Sequence, residues 1–163
     1  MVNLNIVLLE PEIPQNTGNI GRTCNAMGAV LHLVEPLGFS IEDKYLKRAG
    51  MDYWKTLNVK YYRDYGDFLA KNPRGQKICI SKKAIHRCDQ FCYQETVYLV
   101  FGKESVGLPE EMLLENQERC VRIPMSENTR SLNLANTVAI LSYEVMRQHA
   151  FAGLKTAGCL PPA

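Results

Sequence analysis

Strand-length apolar runs alternate with longer blocks of helical spacing along this chain. The pattern predicts strands at Leu4–Leu9, Val30–Val34, Val59–Tyr61, Lys77–Ile80, Val97–Phe101 and Arg119–Ile123. It predicts helices at Gly18–Met27, Tyr45–Arg48, Tyr65–Lys71, Glu110–Glu115 and Leu132–His149. Strand and helix in turn imply an α/β fold, a mainly parallel sheet flanked by helices. No internal repeat or low-complexity linker interrupts the pattern. Residues 1–152 read as one domain, and 153–163, with Gly158 and Pro161-Pro162, as a loose tail.

Two strand ends stand out. The strand ending at Ile123 meets Pro124, which cannot donate to a ladder. A polar bend follows, and Ser131 or Asn133 can cap the long apolar helix after it. The strand ending at Phe101 stops at Gly102, in Phe-Gly-Lys-Glu-Ser-Val-Gly-Leu-Pro. Two such bends can present bare backbone amides and carbonyls to a flat ligand. The last helix carries Leu132, Ala135, Val138, Ala139 and Val145 on one face, with Leu134, Ile140 and Leu141 widening it. A helix apolar nearly all round is buried on more than one side. In a domain of this size the second side is expected to be another copy of the chain, a homodimer through this helix.

At 163 residues, 46% hydrophobic and 22% charged, the chain has the composition of one globular domain. Its apolar runs are far shorter than a membrane span, and Val2–Leu9 enters a strand pattern directly, so a cytoplasmic protein is expected. Six cysteines include no Cys-x-x-Cys pair. His86, Cys88 and Cys92 cluster without a fourth ligand at motif spacing, so reduced thiols and no metal are expected. The net charge is +2, but Asp43–Gln90 holds twelve Lys/Arg against five Asp/Glu. Such a segment either attracts phosphates or forms a solvated face.

Three blocks carry candidate chemistry. Asn16-Thr17-Gly18-Asn19-Ile20-Gly21-Arg22 follows the first strand, with Asn16 or Thr17 as helix cap and two glycines open to close approach. Arg22 works against the helix dipole one turn in, which points to an anionic partner. Asn16 stands where a Gly-x-Gly-x-x-Gly fingerprint ending at Gly21 needs its first glycine. Gly102-Lys103 lacks both the earlier glycine of a phosphate-binding loop, where Val97 stands, and the following Ser or Thr, where Glu104 stands. Glu104 can instead take hydrogen bonds from neighbouring loops. Ser131 and Asn133, in the third block, are ligand contacts or caps.

Together these blocks resemble the SPOUT class of RNA methyltransferases: Asn-x-Gly-x-x-x-Arg early, Phe-Gly-x-Glu-x-x-Gly-Leu in the middle, and Ile-Pro-Met with Ser-Leu-Asn-x-x-Asn late. Glu10–Asn16 and Asp43–Trp54 further resemble the small enzymes that methylate the ribose 2′-hydroxyl of the tRNA wobble nucleotide, cytidine or modified uridine. The resemblance covers about residues 3–150 and implies a C-terminal trefoil knot, an exception among chain topologies. It implies S-adenosylmethionine as cofactor, contacted by Ile80, Gly102, Glu104, Ile123 and Ser131, with Phe101, Met125 and Leu132 as pocket walls. It implies a homodimer whose substrate site is built from both chains. It nominates Arg22 as catalytic, with Asn133 and Tyr143 as further participants. Arginine is permanently charged, so Arg22 suits a phosphate clamp or a stabiliser of a developing alkoxide better than a base. Lys44, Lys47, Arg48, Lys82 and Lys83 are expected against tRNA phosphates. A ribosomal RNA 2′-O-methyltransferase, and an RNA-binding protein with a vestigial pocket, are the alternatives.

Overall fold

A computed structural model of the chain describes residues 2–40, 54 and 56–160. In chain order the described elements are β1 (Asn3–Leu9), α1 (Pro14–Met27), β2 (Val30–Val34), β3 (Val59–Tyr62), α2 (Tyr65–Lys71) and β4 (Gln76–Ile80). There follow β5 (His86–Arg87), β6 (Thr96–Phe101), α3 (Glu110–Glu115), β7 (Cys120–Arg122) and α4 (Leu134–Gln148). The strands form one parallel sheet in the order β3-β2-β1-β6-β4-β7-β5.

The two-residue period of the strands divides the core. Leu4, Ile6 and Leu8 of β1, Leu31 and Leu33 of β2, and Leu99 and Phe101 of β6 face one side. There they meet Ile20, Cys24 and Met27 of α1 and Val138, Leu141, Val145 and Met146 of α4. Val7, Val34, Tyr62, Cys79, Tyr98 and Val100 face the other side with Phe68 of α2. Burial on both faces explains why the central strands read as continuous apolar runs. Each fully buried Leu or Ile contributes roughly 1.5–3 kcal/mol relative to exposure.

The structure differs from the sequence expectation at four elements. The helix expected from Gly18 starts at Pro14, whose fixed φ suits a first helical position. Its N-cap is Ile13, with no side-chain cap of its own, while Asn16 and Thr17 lie buried inside the helix. Strand β5 went unread because two residues carry no period. The last helix begins at Leu134, after its cap Asn133, and β7 is limited to Cys120–Arg122. The helix read at Tyr45–Arg48 lies outside the described residues.

Buried thiols are kept protonated by desolvation, which pushes Cys24 and Cys79 up to about 12. All six cysteines are free. Among the described residues no group of His, Cys, Asp and Glu could hold a metal ion, and no helix is long and apolar enough to cross a membrane.

Candidate active site

Parallel strands release their chains at one edge, and ligands of such sheets bind outside that carboxyl edge. Here a crevice of about 600 Å³ opens beyond the ends of β4, β6 and β7, a volume suited to a cofactor-sized ligand. Ile80, Phe101, Gly102, Glu104, Ile123, Met125, Ser131 and Leu132 all line it, so all eight residues expected at a cofactor converge there from four separate segments.

The middle wall is the tight loop 102–108. The Lys103 carbonyl accepts from the Gly107 N–H at 2.8 Å, and Gly107 takes a positive φ of 78°. Gly102 lies against the backbone that returns: a Cβ on it would meet the Gly107 carbonyl carbon at 2.1 Å and the Leu108 nitrogen at 2.3 Å. Only glycine fits there.

Three consecutive residues of this loop are fastened to the segment that leads into α1. Lys103 Nζ pairs with Glu10 Oε2 at 2.6 Å. Glu104 Oε2 accepts from the Glu12 N–H at 2.8 Å, and its Oε1 from the Ile13 N–H at 3.2 Å and Asn16 Nδ2 at 3.1 Å. Ser105 donates its N–H and its Oγ to the Glu12 carboxylate, each at 2.9 Å. These bonds hold the Glu12 carboxyl below the usual carboxylate range, with Lys103 adding to the effect. Thus Glu104 supplies from another loop the capping that the start of α1 lacks. It borders the crevice while its carboxylate is turned to that helix.

The third wall precedes α4. Asn133 Oδ1 accepts from the N–H groups of Ala135 and Asn136, and its Nδ2 donates to Asn16 Oδ1 at 3.0 Å. Of the two candidates, Asn133 is therefore the helix cap, and Ser131 is an exposed lining residue. Asn16 receives from Asn133 and donates to Glu104, so one amide links all three motif blocks. The Asn133 side chain is thus engaged with the start of α4 and with Asn16.

Other expected residues fall elsewhere. Arg22 and Tyr143 do not line the crevice. Both are exposed, Arg22 on α1 and Tyr143 on α4. Gly21 does not line the crevice; a Cβ there would touch the Leu57 and Trp54 side chains, so it serves packing. Lys82 and Lys83 line the crevice, Lys82 donating to the Arg130 carbonyl at 3.2 Å and Lys83 pairing with Glu110. Lys44, Lys47 and Arg48 lie outside the described residues. Glu12 and Ser105 had no assigned part at the site, and Asn16 was read only as a cap; the sequence signal was Glu12 between Pro11 and Pro14 and Ser105 directly after Glu104.

Comparison with known proteins finds relatives along nearly the whole chain. The model of the SpoU rRNA Methylase family matches residues 3–143. A tRNA (cytidine(34)-2'-O)-methyltransferase of Methylovorus glucosotrophus is 48% identical over 149 residues, 91% of this chain and 97% of that protein. A solved structure described as giving insights into the 2-OH methylation of C/U34 on tRNA is 40% identical, with a TM-score of 0.87, covering 92% of this chain and 98% of that one. An AdoMet-bound rRNA methyltransferase from Sinorhizobium meliloti is 26% identical, with a TM-score of 0.80, over 89% of this chain and 56% of its own.

Proposed function

This chain belongs to the SpoU rRNA methylase family, and on that premise we propose that it methylates the ribose 2′-hydroxyl of the wobble nucleotide of tRNA, cytidine or modified uridine, using S-adenosylmethionine. One observation supports this most directly: Ile80, Gly102, Ile123 and Ser131, distant in sequence, border a single crevice of cofactor size. The relatives whose names specify position 34 of tRNA match at 40–49% identity, against 26% for the ribosomal RNA enzyme. That contrast favours tRNA over ribosomal RNA.

The crevice suits the donor. The Gly102 wall leaves no side chain between ligand and backbone, while Phe101, Ile123, Leu108 and Met125 supply apolar surface. Ile80, Gly102, Ile123 and Ser131 would hold S-adenosylmethionine, with Phe101, Met125 and Leu132 as walls and Glu104 behind its loop. When bound it supplies an electrophilic methyl carbon on a sulfonium. Apolar walls exclude water and strengthen every electrostatic interaction within the crevice. Fixed loops hold the reaction partners aligned, worth roughly 7–11 kcal/mol in favourable cases. Arg22 clamps a phosphate or steadies negative charge on the ribose oxygen.

The remaining parts of the proposal concern assembly. The protein is a cytoplasmic homodimer joined through α4, with its substrate site drawn from both copies, Tyr143 lying on that face. Lys82 and Lys83 at the crevice, with Lys44, Lys47 and Arg48, contact the anticodon-region phosphates, so binding weakens as salt rises. The C-terminal trefoil knot is part of the same reading, since the crevice is built from the loops that such a knot ties.

Incubating bulk tRNA with the protein and labelled S-adenosylmethionine, then analysing nucleosides and mapping the label, tests the function. Label in 2′-O-methylated nucleosides at position 34 is expected; transfer to ribosomal RNA alone, or none, refutes it. Arg22→Ala is expected to abolish transfer while calorimetry still shows donor binding. Loss of donor binding in that variant would contradict the role given to Arg22.

A further inference from the structure

The bonding between the donor loop and the approach to α1 runs in both directions. Glu104 receives the backbone N–H groups of Glu12 and Ile13, a contact indifferent to the side chain at position 12. The return contact depends on that side chain entirely: the Glu12 carboxylate takes both the N–H and the Oγ of Ser105, 93 residues away in sequence. Ser105 stands between Glu104, which borders the crevice, and Val106, the loop tip, which is 77% exposed yet sits on a tightly built loop.

Resting on the function proposed above, we infer that Glu12 is a positioning residue: its side chain latches Ser105, fixing loop 102–108 in the shape that receives the methyl donor and tying that loop to the helix that carries Arg22. Glu12 itself does not line the crevice, whereas its neighbours in the latch, Glu104 and Ser105, do. Any benefit to the donor therefore passes through the loop. The latch is separable from the fold. The Lys103–Glu10 pair and the Glu104 contacts use other atoms, so removing the Glu12 charge leaves them in place.

The latch also has a pH signature. Hydrogen bonds from Ser105 favour the charged form of Glu12, and the Lys103 ammonium favours it further, with Glu10 paired to that same ammonium and Glu104 beside it. Protonation of Glu12 removes an acceptor from Ser105; because the same contacts lower its pKa, the latch holds through the usual carboxylate range and opens only as pH falls below it.

The test is calorimetric titration of S-adenosylmethionine into wild type, Glu12→Gln, Ser105→Ala and the double variant, with wild type and Glu12→Gln followed from neutral pH to about pH 3, below the usual carboxylate range. Glu12→Gln is expected to weaken donor binding about tenfold, the scale of a charge-assisted hydrogen bond. Ser105→Ala, which keeps its N–H, is expected to cost about threefold. The double variant is expected to bind no more weakly than Glu12→Gln alone, because both changes break one coupled contact. Wild-type affinity is expected to fall on acidification more steeply than that of Glu12→Gln. Wild-type affinity in Glu12→Gln, an additive double variant, or matching pH profiles would overturn the latch. Should Glu12→Gln fail to fold, unchanged donor affinity in Ser105→Ala overturns it instead. A wild-type protein that binds no donor would sink the functional reading itself, a result distinct from these.

Discussion

A single methyl group at position 102 tests how tightly the donor loop is built. Any Cβ there would sit 2.1–2.3 Å from the backbone of Gly107 and Leu108, and backbone cannot swing aside as a side chain can. Gly102→Ala must therefore open the loop, costing about 1–3 kcal/mol of stability as an overpacked site does. Donor binding should be lost to calorimetry while urea unfolding still shows a cooperative transition; near-wild-type donor affinity would show that the close approach is not needed. The demand for glycine was legible in the sequence because it arises within seven residues, Gly102 to Leu108. The partners of Glu104 were not, because it bonds to residues about ninety positions earlier. A sequence showed an acid after a strand; only the fold shows that this acid caps someone else's helix. Asn133 was legible as one of two caps, and the choice between them turned on the φ,ψ of the residue before Leu134 and on an amide, Asn16, contributed from α1.

Between elements, a buried polar chain crosses the β2 face opposite α1 and α4. Asn5 Nδ2 donates to the Asn3 and Val97 carbonyls, leaving its Oδ1 to accept from His32 Nε2 at 3.0 Å. That fixes the proton on Nε2, so Nδ1 accepts from the Tyr62 hydroxyl at 2.8 Å. Tyr62 in turn accepts from Asn72 Nδ2, and Asn72 Oδ1 from the Tyr98 hydroxyl. Every member is paired with His32 neutral, whereas a charged His32 would leave the Tyr62 hydroxyl hydrogen without its acceptor, and burial, aided by the Lys60 charge, lowers the His32 pKa to about 4. The folded state thus takes up the proton later than the unfolded state does. Stability is full above about pH 6.5 and declines as pH falls toward about 4, by roughly 3 kcal/mol if His32 acts alone. Urea unfolding across that range should show the decline, and His32→Gln should flatten its upper part, above the carboxyl range; an unchanged profile in that variant would remove His32 as the cause. The same face explains a limit of reading by pattern. Val30–Val34 was recognised as a strand despite His32, since period and length carried it, but the partners of the buried histidine, Asn5 and Tyr62, lie on other strands, which no local pattern reveals. Helix α1 was read short because Asn16 and Thr17 are cap-type residues, yet they lie buried inside a helix that already starts at Pro14.

At the scale of the molecule, α4 is more apolar than one core can cover. Ala135, Val138, Leu141, Val145 and Met146 are buried, while Ile140 and Tyr143, one turn apart, remain 45% and 52% exposed. Arg22 sits on α1, the helix that packs beside α4, and does not border the crevice of its own chain. A second copy docked on α4, as proposed above, would cover the exposed pair, and the proposal that each site is drawn from both copies has the partner's Arg22 serve the first copy's crevice. Ile140→Lys should then convert dimer to monomer in sedimentation, and methyl transfer should fall with it. A stronger test mixes two inactive variants, Arg22→Ala and Gly102→Ala, after unfolding and refolding them together. If Arg22 acts across the interface, a mixed dimer holds one complete site, the intact crevice of the Arg22→Ala chain served by the arginine of its partner. Random pairing makes about half the dimers mixed, with one working site of two, so about a quarter of wild-type transfer should return. If Arg22 serves its own crevice, neither half of the mixed dimer has both parts and no activity returns. A mixture that stays inactive while sedimenting as a dimer would therefore place Arg22 in its own chain's site and separate the catalytic arrangement from the reason for dimerising.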